Sequence, residues 1–277
     1  MKSFIVCALS IYVTLAVSSC TKSSNPPDNN TNKTDTTANT PKCSDTSDVL
    51  TRQTWLYCEY FTNFSDPATV LTWKTGRTSN TVNMTKNRVK YNCDNSYWET
   101  DENGDTLKGT WSYLNNGTQV QVVNKKGTFV STAQVLTAKR YEWLGPSSTY
   151  GVMLPVNLTV DSAAGHLALL TANPWVYTEY FNNYNVTAPS LVWKTNKANS
   201  SLNLSKNVVT FNTNGTYTEI DETGATYNGT WTFLNNQTQV QTSSVKGTFT
   251  STIKLLTTER YEWVNTDGVT YGEMVHK

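Results

Sequence analysis

The sequence predicts an all-β protein made of two tandem antiparallel up-and-down β-barrels of about eight strands each. The segment from Trp55 to Trp143 recurs from Trp175 to Trp263 without a gap, and about half of the aligned positions are identical. A repeat of this length matches a small domain of about 100–150 residues. Apolar and polar residues alternate with a period of two through most of each copy, as expected for half-buried strands. Turn sequences such as Asn214-Gly215 separate these runs.

The N-terminal residues carry an export signal. Residues 1–19 contain a basic start and an apolar run that is too short for a membrane span of about 20 residues. The segment Val17-Ser-Ser-Cys20 then resembles a bacterial lipobox, in which cleavage precedes the cysteine. The resemblance implies lipidation of Cys20 and anchoring in the bacterial cell envelope, at the outer membrane. An ordinary secretory signal is the alternative. Residues 20–43 are polar and are expected to form a disordered tether.

The pattern of alternation places a first barrel over residues 44–155 and a second over residues 161–277. A short helical turn is expected before each copy, and a Tyr-Gly-x-Met element follows each one. Eight strands are enough for a meander to close into a small barrel. The sequence does not decide whether the barrels touch. In the second copy the strands are expected near residues 173–182, 190–195, 206–212, 216–221, 226–234, 238–242, 247–256 and 258–264.

Several short motifs recur in each copy. A Leu-Thr pair precedes the first-strand tryptophan, and the second copy has Gly-Thr-Tyr-Thr-Glu at 215–219, Gly-Thr-Trp at 229–231 and Ser-Thr-Ile-Lys-Leu-Leu-Thr at 251–257. With these motifs each copy resembles the lipocalin-like domain of Bacteroidetes lipoproteins. In lipocalins a first-strand Trp closes the barrel floor and a last-strand Arg stacks on it. The resemblance implies cation–π floor pairs in both copies. These pairs are Trp55 with Arg140 and Trp175 with Arg260.

Gln53 and Asn173 occupy the position at which lipocalins carry a glycine. The resemblance is therefore to the wider lipocalin-like group, and it does not by itself establish a ligand-carrying role.

Side chains that share a strand face with the two floor tryptophans are candidates for lining a ligand cavity, because side chains alternate along a strand. An eight-stranded barrel can hold one small ligand or be filled by its own side chains, and both remain open. The candidate glutamates have a favoured alternative, which is a salt bridge to Lys74 or Lys194 or a bulge that turns them outward. The candidates are Tyr57, Glu59, Tyr97, Trp111, Phe129, Tyr177, Glu179, Tyr217, Trp231 and Phe249.

Three cysteines remain after the export signal and the lipidation site, namely Cys43, Cys58 and Cys93. The second copy has Thr178 and Thr213 at the positions of Cys58 and Cys93. This joint replacement favours a Cys58–Cys93 disulfide in an oxidising compartment. Pairing of Cys43 with either cysteine, or three free thiols, are the alternatives.

The composition argues against several functional classes. The net charge is +1 and only 16% of residues are charged, so no basic surface for nucleic acid is predicted. His166 and His276 have no equivalents in the other copy, and the usual short metal, phosphate and nucleophile motifs are missing from the sequence. We therefore predict no metal, cofactor or enzymatic activity.

The leading prediction is a non-enzymatic, lipid-anchored envelope protein whose barrels bind a small apolar or amphipathic molecule or a glycan fragment. The first alternative is a structural or protein-interaction module with filled barrels and no small-molecule ligand. The second is a glycoside hydrolase that uses paired carboxylates. A cavity of a few hundred Å³ would favour ligand binding. A filled barrel with an exposed aromatic patch would favour the interaction module.

Overall fold

The computed structural model describes residues 48–156 and 165–277. The predicted export signal, Cys20, the tether with Cys43, and residues 157–164 between the two copies lie outside these ranges. Within the described ranges no helix combines the length and apolar character needed to cross a bilayer.

Each copy contains nine strands preceded by one short helix. In the first copy these are α1 (Val49–Arg52), β1 (Thr54–Thr62), β2 (Val70–Lys74), β3 (Arg88–Tyr91), β4 (Ser96–Thr100), β5 (Thr106–Leu114), β6 (Gln119–Asn124), β7 (Gly127–Thr137), β8 (Arg140–Leu144) and β9 (Tyr150–Pro155). In the second they are α2 (His166–Thr171), β10 (Trp175–Asn182), β11 (Ser190–Lys194), β12 (Val208–Phe211), β13 (Thr216–Ile220), β14 (Thr226–Leu234), β15 (Gln239–Ser244), β16 (Gly247–Leu256), β17 (Arg260–Asn265) and β18 (Tyr271–His276).

The predicted fold class is confirmed, because each copy closes into an eight-stranded antiparallel barrel. In the first copy β1 pairs with β3 on one edge and with β9 on the other, so β1 and β3 to β9 form a closed ring. The second copy closes in the same way through the pairing of β10 with β18. The additional strand, β2 or β11, pairs with the second half of the first barrel strand.

The floor of each barrel is closed by the helical turn and the first-strand tryptophan. The indole Nε1 of Trp55 donates to the carbonyl of Leu50 in α1 at 3.0 Å, and both residues are fully buried. Tyr141 packs edge-on against Trp55 with ring centroids 5.7 Å apart. Trp175 makes the equivalent contacts with Leu170 and with Tyr261.

The predicted arginine–tryptophan floor pairs are wrong. Arg140 directs its guanidinium to Glu142 and to Glu273 of the other barrel, and Arg260 pairs with Glu262. The cause is strand alternation: because Tyr141 and Tyr261 point inward, the preceding arginines must point outward.

A β-bulge in the first strand changes which side chains face the interior. Tyr57 pairs with Met153 and Glu59 pairs with Val152, so Cys58 is an extra residue without a partner across the ladder. A bulge of this kind shifts the alternation by one residue. Tyr60 consequently faces the interior, and Glu59 faces the other barrel. Thr178 is the extra residue at the same place in the second copy.

The predicted Cys58–Cys93 disulfide is wrong. Cys58 is a buried free thiol, whereas Cys93 is disulfide-bonded. Cys58 faces the space between the barrels, while Cys93 lies in the turn between β3 and β4. The alternative pairings with Cys43 lie outside the described residues.

The two barrels pack against each other through equivalent surfaces. Phe61 stacks on its counterpart Phe181 with ring planes 3° apart and centroids 6.3 Å apart. Arg77 donates its Nε to the carbonyl of Tyr184 at 3.0 Å, and the equivalent Lys197 donates to the carbonyl of Phe64 at 2.7 Å. Reciprocal contacts of this kind are typical of a symmetric dimer interface, here formed within one chain.

Candidate ligand-binding cups

Each barrel contains a cavity further along the first strand than the floor tryptophan, and we call these cavities the cups. Cup 1, in the first barrel, has a volume of about 360 Å³, and cup 2, in the second, about 330 Å³. The lining is largely aromatic, with a few polar and charged groups. The lining residues that are identical in both copies are Tyr57/Tyr177, Tyr60/Tyr180, Val89/Val209, Tyr97/Tyr217, Glu99/Glu219, Lys126/Lys246, Phe129/Phe249, Ser131/Ser251, Trp143/Trp263 and Thr149/Thr270.

Three aromatic rings form one wall of cup 1. Tyr57 and Tyr60 have centroids 6.1 Å apart, and Trp143 lies 6.3 Å from the first and 6.1 Å from the second. The equivalent rings of cup 2 repeat these separations at 5.8, 6.5 and 6.2 Å. Tyr60 belongs to this triad only because the bulge turns it inward. The bulge therefore creates part of the wall as well as moving Glu59 out of it.

A glycine on the neighbouring strand fixes the tryptophan of each triad. Gly151 in β9 pairs with Trp143 in β8, and the indole ring lies directly over the glycine. A Cβ atom at Gly151 would lie only 2.4 Å from the ring, and one at Gly272 only 2.6 Å from the ring of Trp263. Both positions therefore require glycine for the tryptophan to lie flat against the wall.

The lysine at the rim of cup 2 is held by neighbouring groups. The Nζ of Lys246 lies 3.0 Å from Glu219 and 3.9 Å from Asp221, and it sits 3.8 Å from the ring centroid of Tyr227. Partial burial opposes the charge, yet these partners raise the pKa of Lys246 above its usual value. Its charge is therefore largely satisfied within the protein.

The equivalent lysine of cup 1 is not held in this way. Leu107 replaces the tyrosine that underlies the lysine in cup 2. Lys126 is exposed and forms no ion pair with an acid of the described residues. Glu99 instead interacts with Tyr97, whose pKa is raised first by burial and then by this carboxylate. The two cups thus share a wall but differ in the charge they offer at the rim.

Six of the ten predicted ligand-binding residues line the cups, namely Tyr57, Tyr97, Phe129 and their equivalents Tyr177, Tyr217 and Phe249. Trp111 and Trp231 lie deeper, where their indole Nε1 atoms donate to the carbonyls of Asn92 and Asn212. Tyr60, Lys126 and Trp143 were missed. The conserved spacing of Trp143 and Trp263 was visible in the sequence, but the bulge that recruits Tyr60 was not.

Glu59 and Glu179 do not reach the cups and instead form a buried ion-pair ring with Lys74 and Lys194. Lys74 bonds Glu59 on its own barrel and Glu179 across the interface at 2.8 Å. Lys194 bonds Glu179 on its own barrel at 3.0 Å and Glu59 across the interface at 2.9 Å. The favoured alternative is confirmed, since both the bulge and the salt bridges are present. Each lysine links the two barrels.

The ring belongs to a larger cluster with one more acid than bases. Burial would raise the pKa of Glu59, but Lys194, Lys74 and Arg140 hold it well below its usual value. Burial and the charge of Glu59 raise the pKa of Glu179 to about 7. Glu273, the cross-strand neighbour of Glu179, adds a smaller contribution in the same direction, and Val152 stands at the equivalent position beside Glu59. The other members of the cluster are Glu142, Glu262, Arg140 and Arg260.

Three carboxylates of this cluster lie close enough together to contact one metal ion. Oxygen atoms of Glu59, Glu179 and Glu273 lie within 4.8 Å of one another. Lysine and arginine side chains already neutralise these acids, so the arrangement is explained by ion pairing.

A scan of protein-family models finds no match to the chain, and a search of curated proteins finds none either. The tandem of closed eight-stranded antiparallel barrels fits a lipocalin-like arrangement by its architecture.

Proposed function

We propose that the protein is a non-enzymatic binding protein of the bacterial envelope in which each cup holds one small amphipathic molecule. The observation that carries this proposal is the repeated cup. About half of the aligned positions differ between the copies, yet the aromatic triad, the rim acid and the rim lysine are the same in both. Cavities of a few hundred Å³ with apolar walls and a few polar groups are typical of small-molecule sites.

The rim of each cup supports a binding role. Phe129 and Phe249 are 42% and 50% exposed at equivalent positions. Single exposed apolar residues are common, but here the same ring borders the same aromatic cavity twice. A bound ligand would cover this ring and the triad together.

The lining indicates the ligand's chemistry. The triad offers flat apolar faces, and Ser131, Glu99 and Lys126 provide polar groups. We therefore expect a molecule with a flat or ring-shaped apolar part and one polar end. A sugar ring with one apolar face also satisfies this description, so a glycan fragment is the second candidate ligand.

The distribution of acids favours binding over glycoside hydrolysis. Hydrolysis of this type requires two carboxyl groups about 5–9.5 Å apart across the substrate. The described lining of each cup contains one carboxylate, Glu99 or Glu219. The other strand glutamates predicted from the sequence are used in the interface cluster.

The envelope location rests on the lipobox-like sequence that ends at Cys20. A lipid on this cysteine would anchor both barrels to a membrane through the polar segment that follows. We expect Cys20→Ser to move the protein from the membrane fraction to the soluble fraction. Unchanged fractionation would contradict lipidation and leave the cup proposal intact.

The cups can be tested with phenylnaphthylamine, a neutral aromatic dye that fluoresces in apolar surroundings. We expect Trp143→Ala and Trp263→Ala each to remove one binding site and the double variant to remove both. Val82→Ala serves as the control, since Val82 is exposed and borders neither cup. Dye binding that survives in the folded double variant would contradict the proposal. Absence of dye binding by the unchanged protein would also contradict it and would favour the interaction module.

The difference between the rims can be tested with the sulfonated form of the same dye. Because Lys126 is not paired with a described acid, we expect Lys126→Gln to weaken sulfonate binding by about twofold to fivefold, and less at high salt. Lys246→Gln should have a smaller effect, because Lys246 is already paired with Glu219. Equal effects of the two substitutions would show that the rims do not differ.

A further inference from the structure

A third cavity lies outside the barrels, in the cleft between them, and has a volume of about 490 Å³. It is bordered by β1, the loop after β2, and the strands β16 to β18. A second groove of about 600 Å³ adjoins it and shares Leu56, Leu154, Leu255 and Arg260 with it. The cleft is therefore elongated, with aliphatic side chains along its shared part.

The lining of the 490 Å³ cavity is mainly cationic in its charged groups. Lys74, Arg77, Lys254 and Arg260 line it, together with a single acid, Glu262. Lys74 is used in the ion-pair ring. Lys254 is exposed and forms no ion pair with an acid in the described part of the chain.

Three donors bordering the cleft lack hydrogen-bond partners in the described structure. Arg77 is only 5% exposed, and its Nη1 has no acceptor although its Nε and Nη2 bond backbone carbonyls. The Nη2 of Arg260 pairs with Glu262 at 3.0 Å, but its Nη1 has no hydrogen-bond acceptor and lies 3.8 Å from Glu273. The hydroxyl of Tyr271 is buried and unpartnered as well. Buried donors without acceptors are rare and costly.

The equivalent arginine on the opposite side of the interface, Arg140, has a carboxylate partner that Arg260 lacks. There Glu273 accepts hydrogen bonds from Thr178 at 2.9 Å and pairs with Arg140 at 3.2 Å. On the cleft side, Val152 replaces this carboxylate and Cys58 replaces the threonine. The protein therefore supplies its own carboxylate to one arginine and leaves the equivalent arginine, Arg260, short of one.

The tyrosine and the lysine of that side are satisfied too. Tyr150 donates to Glu142, whereas its equivalent Tyr271 has no acceptor. Lys197 donates to the carbonyls of Phe64 and Asp66, at 2.7 and 3.0 Å. In each of these equivalent pairs of the interface, the donor without a partner lies on the side with the cavity.

We propose that this cleft binds a long-chain carboxylate, with its head group at Arg77 and Arg260 and its alkyl chain along Leu56, Leu154 and Leu255. A guanidinium group binds a carboxylate through paired, charge-assisted hydrogen bonds. The carboxylate takes the role that Glu273 has on the other side. This site shares only Tyr57 with the lining of cup 1, and the proposal does not depend on the function of the cups.

Cys58 borders the same cavity and provides a local reporter. We expect dodecanoate to slow alkylation of Cys58 by iodoacetamide at least fivefold, with the modified residue identified by peptide mass mapping. Burial raises the pKa of this thiol to about 11, so labelling is slow and can be followed over hours. Dodecyltrimethylammonium, a cation with the same chain, should give no protection. Failure of dodecanoate to protect, or equal protection by the cation, would overturn the proposal.

Two substitutions import the residue of the equivalent position in the other copy. Arg77→Lys follows Lys197, and Lys254→Gln follows Gln134. Arg77→Lys should raise the dodecanoate concentration needed for half-maximal protection at least tenfold. Lys254→Gln removes an exposed charge near the head group and should raise it by about twofold to fivefold. Neither should change the ligand-free labelling rate. Lys126→Gln, at the rim of cup 1, is the control and should leave protection intact.

If Arg77→Lys impairs folding, the exposed position Lys254 still provides the test. Full protection in Lys254→Gln would count against the site. Because protection is read at Cys58, the result is independent of any ligand in the cups.

Discussion

The barrel interior and the interface between the barrels are built from the same first strand but differ in chemistry. The interior receives Trp55, Tyr57 and Tyr60, which pack with other aromatic rings and leave a cavity. The interface receives Glu59 and Phe61, which are completely buried against the other barrel. One bulged residue, Cys58, separates these assignments. The comparison shows that one bulge can direct part of a strand's side chains into the cavity and the rest into the interface between the barrels.

The interface is the more demanding of the two environments. Buried charges are tolerated only when each is paired, whereas aromatic rings can border an open cavity without loss of hydrogen bonds. We therefore expect substitutions in the ring to affect stability and substitutions in the cups to affect binding.

The largest effect is expected from Lys194→Met. This change removes one bond from Glu59 and one from Glu179, and it should lower the free energy of unfolding by about 3–5 kcal/mol. Chemical denaturation measures it. Lys139→Met is the matched control, because Lys139 also pairs across the interface, with Glu259, but both side chains are more than half exposed. That control should cost less than about 1 kcal/mol. Equal losses in the two variants would show that burial of the ring is not decisive.

A smaller effect on stability, with a clear effect on binding, is expected from Gly151→Ala. The added methyl group would lie 2.4 Å from Trp143 and must displace it, at a cost of about 1–3 kcal/mol. Phenylnaphthylamine should then be lost from cup 1 and retained in cup 2, as measured by fluorescence titration. Gly165→Ala is the control, since no atom of the described residues lies within 4 Å of its added Cβ. If Gly151→Ala still binds the dye at two sites, the position of Trp143 does not determine binding in cup 1.

The smallest effect concerns pH. The pKa of Glu179 is raised to about 7, which means that the folded protein favours the protonated carboxyl group. The corresponding stability is fully present below the usual pKa of a glutamate and is lost as the pH rises through 7. Glu273 contributes to this shift, and its own pKa is held at about 2, where burial is outweighed by Arg140 and Arg260. Glu273→Gln should therefore lower the pKa of Glu179 and reduce the loss of stability between about pH 5 and pH 8.

Melting temperatures across this range measure the pH effect, with the exposed Glu259→Gln as the control. The comparison between variants removes contributions from groups that both proteins share. If the melting temperature of Glu273→Gln depends on pH as strongly as that of the unchanged protein, Glu273 does not influence the pKa of Glu179.

The fold and the neutral half of each cup were predictable from the sequence. Two-residue alternation and the repeat identified the strands, and alternation from Trp55 placed Tyr57 inward. A bulge was part of the favoured alternative for Glu59 and Glu179, but its position at Cys58 and Thr178 was not predicted. Every residue after it on that strand changes face, so the inward position of Tyr60 was missed. The incorrect prediction that Arg140 stacks on Trp55 had a different cause. In Arg-Tyr-Glu-Trp only alternate residues can face inward, and the resemblance to lipocalins favoured the wrong pair.

The interface could be recognised only in part. Lys74 and Lys194 were identified as partners for the glutamates because they recur in both copies. That each lysine also bonds the glutamate of the other barrel depends on how the barrels pack, and a single repeat carries no information about that.

The central claim is that the duplicated barrels provide two equivalent small-molecule sites. Native mass spectrometry of the full chain with phenylnaphthylamine counts these sites directly. The account predicts two bound dye molecules per chain, one in either Trp143→Ala or Trp263→Ala, and none in the double variant. Two dye molecules bound to the folded double variant, or none bound to the unchanged protein, would contradict it.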